Sequence, residues 1–528
     1  MGRKCKAAAV LCVLFMCVPV CAHKQSIKEL EGMPFDPHIQ RELVIIDAAH
    51  TYDLNPHTAN YNSEAQILNG LYEGLFSYDP LTLEAVPAAV KSFRISRDRK
   101  TWTFTLRDDL AFSNGESIEA AHVKDSWLTL LNPASQAPFA SLLDCIKGVS
   151  DYRTGKGAAE KVGIQVKNKR TLAVHLNTPA EHFPKILCHH AFAVTHRNKD
   201  VYSGAFMLKE RGSKLTVLKK NPHYYDAANV ALPSIRIINS DDTDANTFAF
   251  NTGTAHWVTG ALNAQKVYES ENIVIYPQFG TEFWFFKAGK APWNNPRIRQ
   301  AVLSAVPRNQ LREDSVVPAQ SLILPLPAYP EVYGITDEEN EDARDSFLQA
   351  LKESGAEQGQ KKQPAFTLSI PDFAYVKKQA SFIVQALQDL GVDVSVETSP
   401  GDRYLEGLNA SEADMFTYTW IGDFADPLAF LELFRSGSTL RETEWKNAHF
   451  DALLEQAALI TDTEKRYQKL AEAEQLLLDE GVILPVSHPV SLNAVDMGVL
   501  DGWFSNSLDI HPFKYLYFKE AAESEDFI

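Results

Sequence analysis

Beyond its first 22 residues the sequence has little cysteine: Cys5, Cys12, Cys17 and Cys21 crowd the N-terminus, leaving only Cys145 and Cys188 in the body. Two thiols exclude a disulfide framework, and a chain of 528 residues can bury a large core without one. Whether the pair forms a single bridge stays open, because the sequence does not give their separation. Long apolar runs are missing as well. The one greasy stretch, residues 7–20, is short of the roughly 20 residues that span a bilayer. Preceded by Arg3, Lys4 and Lys6, it reads as a secretory signal peptide over residues 1–22, which makes the protein an exported one. Basic residues are in deficit, 51 against 68 acidic ones, for a formal net charge of −17. This argues against nucleic acid, which is bound by neutralising phosphates, and against unaided adhesion to anionic lipid. Catalytic signatures are also absent: there is no G-x-S-x-G, H-E-x-x-H, G-x-x-x-x-G-K-[ST] or glycine-rich dinucleotide turn. An enzyme stays as an alternative with no motif behind it.

Two processing routes fit the end of the leader. Val20-Cys21-Ala22 places small residues where a signal peptidase cuts, giving a freely secreted protein of the periplasm. Cys21 could instead carry lipid and hold the protein at the cell envelope, although the bulky Val20 suits that route less well.

At this length more than one domain is expected, and the elements are mixed α and β without a repeat. Alternation in Thr101–Leu106 puts Trp102, Phe104 and Leu106 on one face of a strand, and Ser113-Asn114-Gly115 predicts a tight hairpin after it. Ala120, Val123, Trp127, Leu130 and Leu131 share a helical face that Pro133 ends. Farther on, Ala380, Ile383, Val384, Leu387 and Leu390 form a second such face, closed by Gly391 and followed by a strand over residues 392–396. Residues 355–363 read as a polar loop between a helix near 347–351 and a strand near 366–370, and 520–526 as an acidic tail.

Several blocks then carry a resemblance. VPAAVKSF, TWTFTLRDDLAFSNG and ESIEAA within residues 86–120 resemble the signature region of the bacterial oligopeptide-, dipeptide- and nickel-binding proteins, extracellular solute-binding family 5. LNPASQAPFASLL from Leu131, KNPHYYDAANVALPSIRI from Lys220, APWNNPRIRQAVLSAVPR from Ala291 and WIGDFADPLAFLELF from Trp420 follow in the family's order, after LNPH at 54–57 and GLYEGL at 70–75. The resemblance implies an α/β, two-lobed periplasmic-binding-protein clamshell of the type II kind with an extra inserted domain. Residues 41–72, 198–279 and 489–528 would form domain I, 73–197 the inserted domain II, and 280–488 domain III. It implies a monomer that captures short peptides between the lobes and hands them to the permease subunits of an ABC importer, without a cofactor.

A peptide offers an ammonium, a carboxylate and a row of main-chain donors and acceptors, so a receptor can hold it by strand-like pairing and charge at the ends. Side chains can be left to wet, roomy pockets. In peptide-binding relatives the acid of the W-x-x-D-[YF] block meets the ligand's amino group, and the matching residue is Asp423, flanked by Trp420, Ile421, Gly422 and Phe424. Asp426 precedes Pro427 and reads as structural. The same resemblance places Asn60, Tyr61 and Asn62 along the ligand's first residues, and Phe283, Trp284 and His488 in the ligand-binding lobe; the aromatic ones could equally fill the core.

The sequence departs from the pattern in two places. Lys287-Ala288-Gly289 stands where the family often has asparagine, and residues 415–419 lack a basic group for a short peptide's carboxylate. Nickel, haem or another non-peptide solute is therefore an alternative ligand, and a surface adhesin an alternative use of the fold. His182, Cys188, His189, His190 and His196 crowd one stretch. Their spacing matches no usual zinc pattern, the resemblance puts them in the second domain, away from the cleft, and the residues themselves read as an apolar strand and turn with surface histidines.

Overall fold

The alternating strand Thr101–Leu106 becomes the second of four antiparallel strands, between Val90–Ile95 and Thr171–His175, with Ile164–Asn168 outermost. In this computed structural model, which describes residues 41–59, 61–326, 328–334, 342–354, 364–408, 410–422, 424–436 and 443–519, Trp102, Phe104 and Leu106 are buried. The leader with Cys21, the 355–363 loop and the acidic tail lie outside the described residues. Helix Ala120–Leu131 buries all five residues of its apolar face, and the Trp127 indole N–H donates to the Phe192 carbonyl at 2.9 Å. The expected hairpin is reduced to one bridge, Ala111 to Ser117. Gly115 does take a positive φ of +86°, but the Ser113 N–H donates to the Tyr202 carbonyl and the Ser113 hydroxyl accepts from the Tyr202 N–H. Those groups are thus unavailable for a second ladder.

A seven-stranded sheet runs in the order Ile273–Pro277, Val490–Val495, Trp257–Thr259, Leu43–Asp47, Ser234–Asn239, Leu215–Lys220 and Phe206–Arg211. Leu43–Asp47 pairs in parallel with both neighbours, so its apolar residues are covered on two faces, as expected for a parallel strand. Helix Asn62–Leu71 packs Ile67, Leu68 and Leu71 onto one face with Phe206, Leu218 and Phe513.

A third, five-stranded sheet has the order Asp393–Ser399, Ala365–Pro371, Met415–Ile421, Gly280–Phe286 and Ile483–Ser487. Helix Ala374–Asp389 is the crossover between the parallel strands Ala365–Pro371 and Asp393–Ser399; Gly391, at φ +88°, makes the turn that no β-branched residue would accept. Gly280–Phe286 is flanked on both edges and covered on both faces. Phe283 and Phe285 point into one apolar core, and Trp284 and Phe286 into another built with helices Pro296–Ala305 and Ala374–Asp389. The chain passes between the seven- and five-stranded sheets twice, at 278–279 and at 488–489, and the Gln278 N–H donates to the Pro489 carbonyl where the two crossings lie side by side.

Helix Thr463–Asp479 backs this sheet and carries the fully buried Glu474. Its Oε1 accepts from the Leu322 and Ile323 N–H groups at 2.7 and 2.9 Å, and its Oε2 from the Tyr329 hydroxyl at 2.8 Å. Burial raises its carboxyl to about 7 against the pull of those three donors. A carboxyl whose folded value is raised adds stability that is complete below its unfolded value and is lost as pH climbs through the folded one. We expect stability to fall by about 3 kcal/mol between pH 4.5 and 7 through this group, and Glu474→Gln to remove that slope. Chemical denaturation at pH 4.5, 6 and 8 measures it, and an equal slope in the variant would refute the assignment.

Candidate functional site

The strand Met415–Ile421 delivers the tryptophan block to its place. Trp420 is half-buried and its indole N–H donates to the Ala429 carbonyl at 2.9 Å, which ties the strand end to the short helix Leu428–Leu431. Ile421 closes the strand. At Gly422 a Cβ would come within 2.7 Å of the Phe279 ring, so only glycine lets the Gly422 N–H reach the Phe279 carbonyl, also at 2.7 Å. Asp423 lies outside the described residues. Its neighbours on the other side are clamped too. Phe424 is buried with its ring parallel to that of His182 at 5.9 Å, and the Lys185 ammonium donates to the Ala425 carbonyl. Asp426, 1 % exposed, accepts two 2.7 Å bonds from the Arg466 guanidinium, which is the structural role read from its sequence position.

Asn60 also lies outside the described residues. Tyr61 is 59 % exposed at the start of helix Asn62–Leu71, edge-on to His50 at 4.8 Å, and its N–H donates to the buried Glu64. Asn62 lines a cavity of about 90 Å³ with Asp47, Tyr52, Trp257 and Asp509. Phe283 and Trp284 are both 0 % exposed on opposite faces of a central strand. They are core residues here, because every second position of a strand covered on both sides is interior whichever way it points.

Around His488, which the sequence reading named, the structure adds residues that it missed. A cavity of about 250 Å³ opens beside the sheet crossing, lined by Glu282, Tyr375, Lys378, Phe382, Ser487 and His488 among others. Glu282 is paired in register with Ser487 and Thr419. Its Oε1 accepts from the Gln379 amide at 3.1 Å and its Oε2 from the Ser487 hydroxyl at 2.8 Å; Gln379 is oriented in turn by the Trp284 indole N–H at 3.3 Å. His488 is buried, and burial lowers its basicity. Its Nδ1 faces the Gly280 carbonyl at 2.9 Å, an atom that can only accept, so Nδ1 carries the proton and Nε2 is an acceptor with no partner among the described residues. One sequence signal could have flagged this place: a lone carboxylate inside the otherwise apolar run GTEFWFF.

A family model of the middle region of the bacterial extracellular solute-binding proteins, family 5, matches residues 84–441. The chain belongs to this family. It is 28 % identical over 457 residues to the dipeptide-binding protein DppE of Bacillus subtilis, covering 80 % of this chain and 82 % of that protein. It is 27 % identical over 475 residues to the oligopeptide-binding protein OppA of the same organism, covering 82 % and 85 %. Its fold matches the solved structure of the Escherichia coli murein tripeptide binding protein MppA with a TM-score of 0.75 at 24 % identity, over 91 % of this chain and 99 % of that one.

In this family 5 protein the histidine stretch corrects two expectations. It is a short helix, Phe183–Ile186, and a turn, His190–Phe192, instead of a strand, and His189 and His190 are buried instead of lying on the surface. Nor is it remote from the site segments. His190 Nε2 is 3.4 Å from the Ala59 carbonyl, and His182 stacks on Phe424. Burial holds His182 and His190 at about 4, and His189 well below its ordinary value, so all three are neutral. Among the described residues no group of three or more His, Cys, Asp and Glu side chains is arranged to hold a metal ion. Cys145 and Cys188 are free thiols, and no helix among the described residues is long and apolar enough to cross a membrane.

Proposed function

We propose that this family 5 solute-binding protein captures short peptides between two lobes outside the cytoplasmic membrane and passes them to the permease subunits of an ABC importer. The observation that carries this reading is the match over about four fifths of the chain to relatives named for dipeptide and oligopeptide binding. One lobe comprises residues 41–72, 198–279 and 489–528, the other 280–488, with 73–197 as the inserted domain. The distribution of the three larger sheets over these segments supports that division. Asp423 receives the ligand's ammonium at the head of the 420–424 segment, and Asn60, Tyr61 and Asn62 line its first residues. The protein acts as a monomer that releases its ligand chemically unchanged, in the periplasm or, with lipid on Cys21, at the envelope.

Native mass spectrometry of the purified protein tests the ligand class: a mixed population of retained short peptides is expected, and a single non-peptide solute would overturn it. Because a ligand lying between two lobes touches both only when they approach, binding shifts an open population toward a closed one. Small-angle scattering is expected to show a smaller radius of gyration with peptide. An unchanged radius at saturation would count against the two-lobed cleft.

A further inference from the structure

The cavity beside Glu282 has an unbalanced chemistry. Its lining holds two carboxylates, Glu282 and Asp314, against one ammonium, Lys378. That ammonium is already committed, to Asp314 at 2.6 Å and Glu313 at 3.7 Å. Glu282 is held only by neutral donors, the Gln379 amide and the Ser487 hydroxyl, and has no cationic partner among the described residues. Two neutral bonds fix the carboxylate's direction without neutralising it. A half-buried charge of this kind is stabilised by a cation that shares its partly dry surroundings.

The remaining walls select for the same ligand. His488, buried and neutral, offers the lone pair of Nε2, which asks for a donor and not for another acceptor. Tyr375 and Phe382 supply ring surface, and Tyr375 is stacked with the exposed Phe373 at 6.0 Å beside the opening. Aromatic faces attract ammonium and guanidinium groups and cover their aliphatic stems. A volume of about 250 Å³ leaves room for a side chain together with bridging water.

We propose that this cavity takes a cationic nitrogen of the bound peptide, with Glu282 as its counter-charge, so that the protein prefers peptides carrying lysine or arginine. The proposal rests on the peptide reading above and adds a charge preference to it. The nitrogen has two sources, a basic side chain or the peptide's terminal ammonium, and the ring surface of Tyr375 and Phe382, which can cover an aliphatic stem, favours the side chain.

Calorimetry on the mature protein with four tetrapeptides separates the cases: one containing lysine, its norleucine counterpart, and the N-acetylated form of each. The lysine peptide is expected to bind at least tenfold more tightly than the norleucine one, and Glu282→Gln to shrink that ratio to within about threefold. If Glu282→Gln instead cancels only the penalty of N-acetylation, the preference for basic side chains is overturned and the cation at Glu282 is the terminal ammonium. Wild-type protein that binds lysine and norleucine peptides equally, with acetylation effects independent of residue 282, overturns the inference and leaves peptide capture intact. Failure to bind any of the four removes the peptide reading and this inference with it. The wild-type comparison decides even if the variant folds poorly.

Discussion

Asp426→Ala is expected to lower the free energy of unfolding by about 3–5 kcal/mol, the cost of leaving one member of a buried ion pair uncompensated. Asp426 and Arg466 are 2 % and 5 % exposed at their side chains and are joined by two parallel 2.7 Å bonds. Burial opposes ionisation of the aspartate, but the guanidinium wins and holds its carboxyl at about 2. Replacing it strands the Arg466 charge beside the neutral His182 and the Tyr467 ring. Acid does less than truncation. A folded value depressed to about 2 contributes stability that is present above the unfolded value near 4 and lost as pH falls through 2, roughly 2–3 kcal/mol in all. Urea denaturation of wild type and variant at pH 7 and pH 3 checks both statements: the gap between them should narrow in acid. Wild-type stability in Asp426→Ala would mean that Arg466 finds another acceptor.

Asp423→Ala is expected to weaken peptide binding by roughly 3–5 kcal/mol, about two to four powers of ten in affinity. In a closed cleft the ligand's ammonium has lost its water and needs a charged acceptor, which a short charge-assisted bond supplies. Gly422 is bonded to Phe279 on one side of this position, and Phe424 to Asp426 are clamped on the other. Asp423→Asn should also bind poorly, keeping the shape without the charge. In the mirror experiment an N-acetylated peptide should be rejected by the wild type. Equal affinity for free and acetylated peptides, together with unimpaired binding by Asp423→Ala, would reduce the acid to an ordinary loop residue.

The elements that were legible in the sequence are those whose signal is local. The period-two run at Thr101–Leu106 and the helical faces at Ala120–Leu131 and Ala374–Asp389 are each buried as their patterns require. Phe283 and Trp284 show where local reading stops. The run GTEFWFF marks a strand apolar on both faces, yet nothing in it says that partners from 415–421 and 483–487 close both edges and bury both rings. The setting of Glu282 was invisible for the same reason: Gln379 lies 97 residues away and Ser487 205 residues away. His57 likewise meets His190 only through tertiary contact, which is why a stretch assigned to a remote surface lies against Ala59 and Phe424. The tryptophan block was legible as a motif. What holds its loop, Arg466 and Lys185 in particular, comes from distant helices.

The paired crossings at 278–279 and 488–489 act on ligand energetics as an axle acts on a lever. Glu282, Ser487 and His488 sit beside them, as does Gly422, whose N–H is bonded to the Phe279 carbonyl, so in the proposed closure a group seated in that cavity travels a short arc. Contacts near the axle form almost equally in the open and closed states. They raise affinity for both and leave the balance between the states unmoved, since only a difference in affinity shifts an equilibrium. A cationic side chain would then serve to load the open protein, and contacts made across the cleft to the other lobe to shut it.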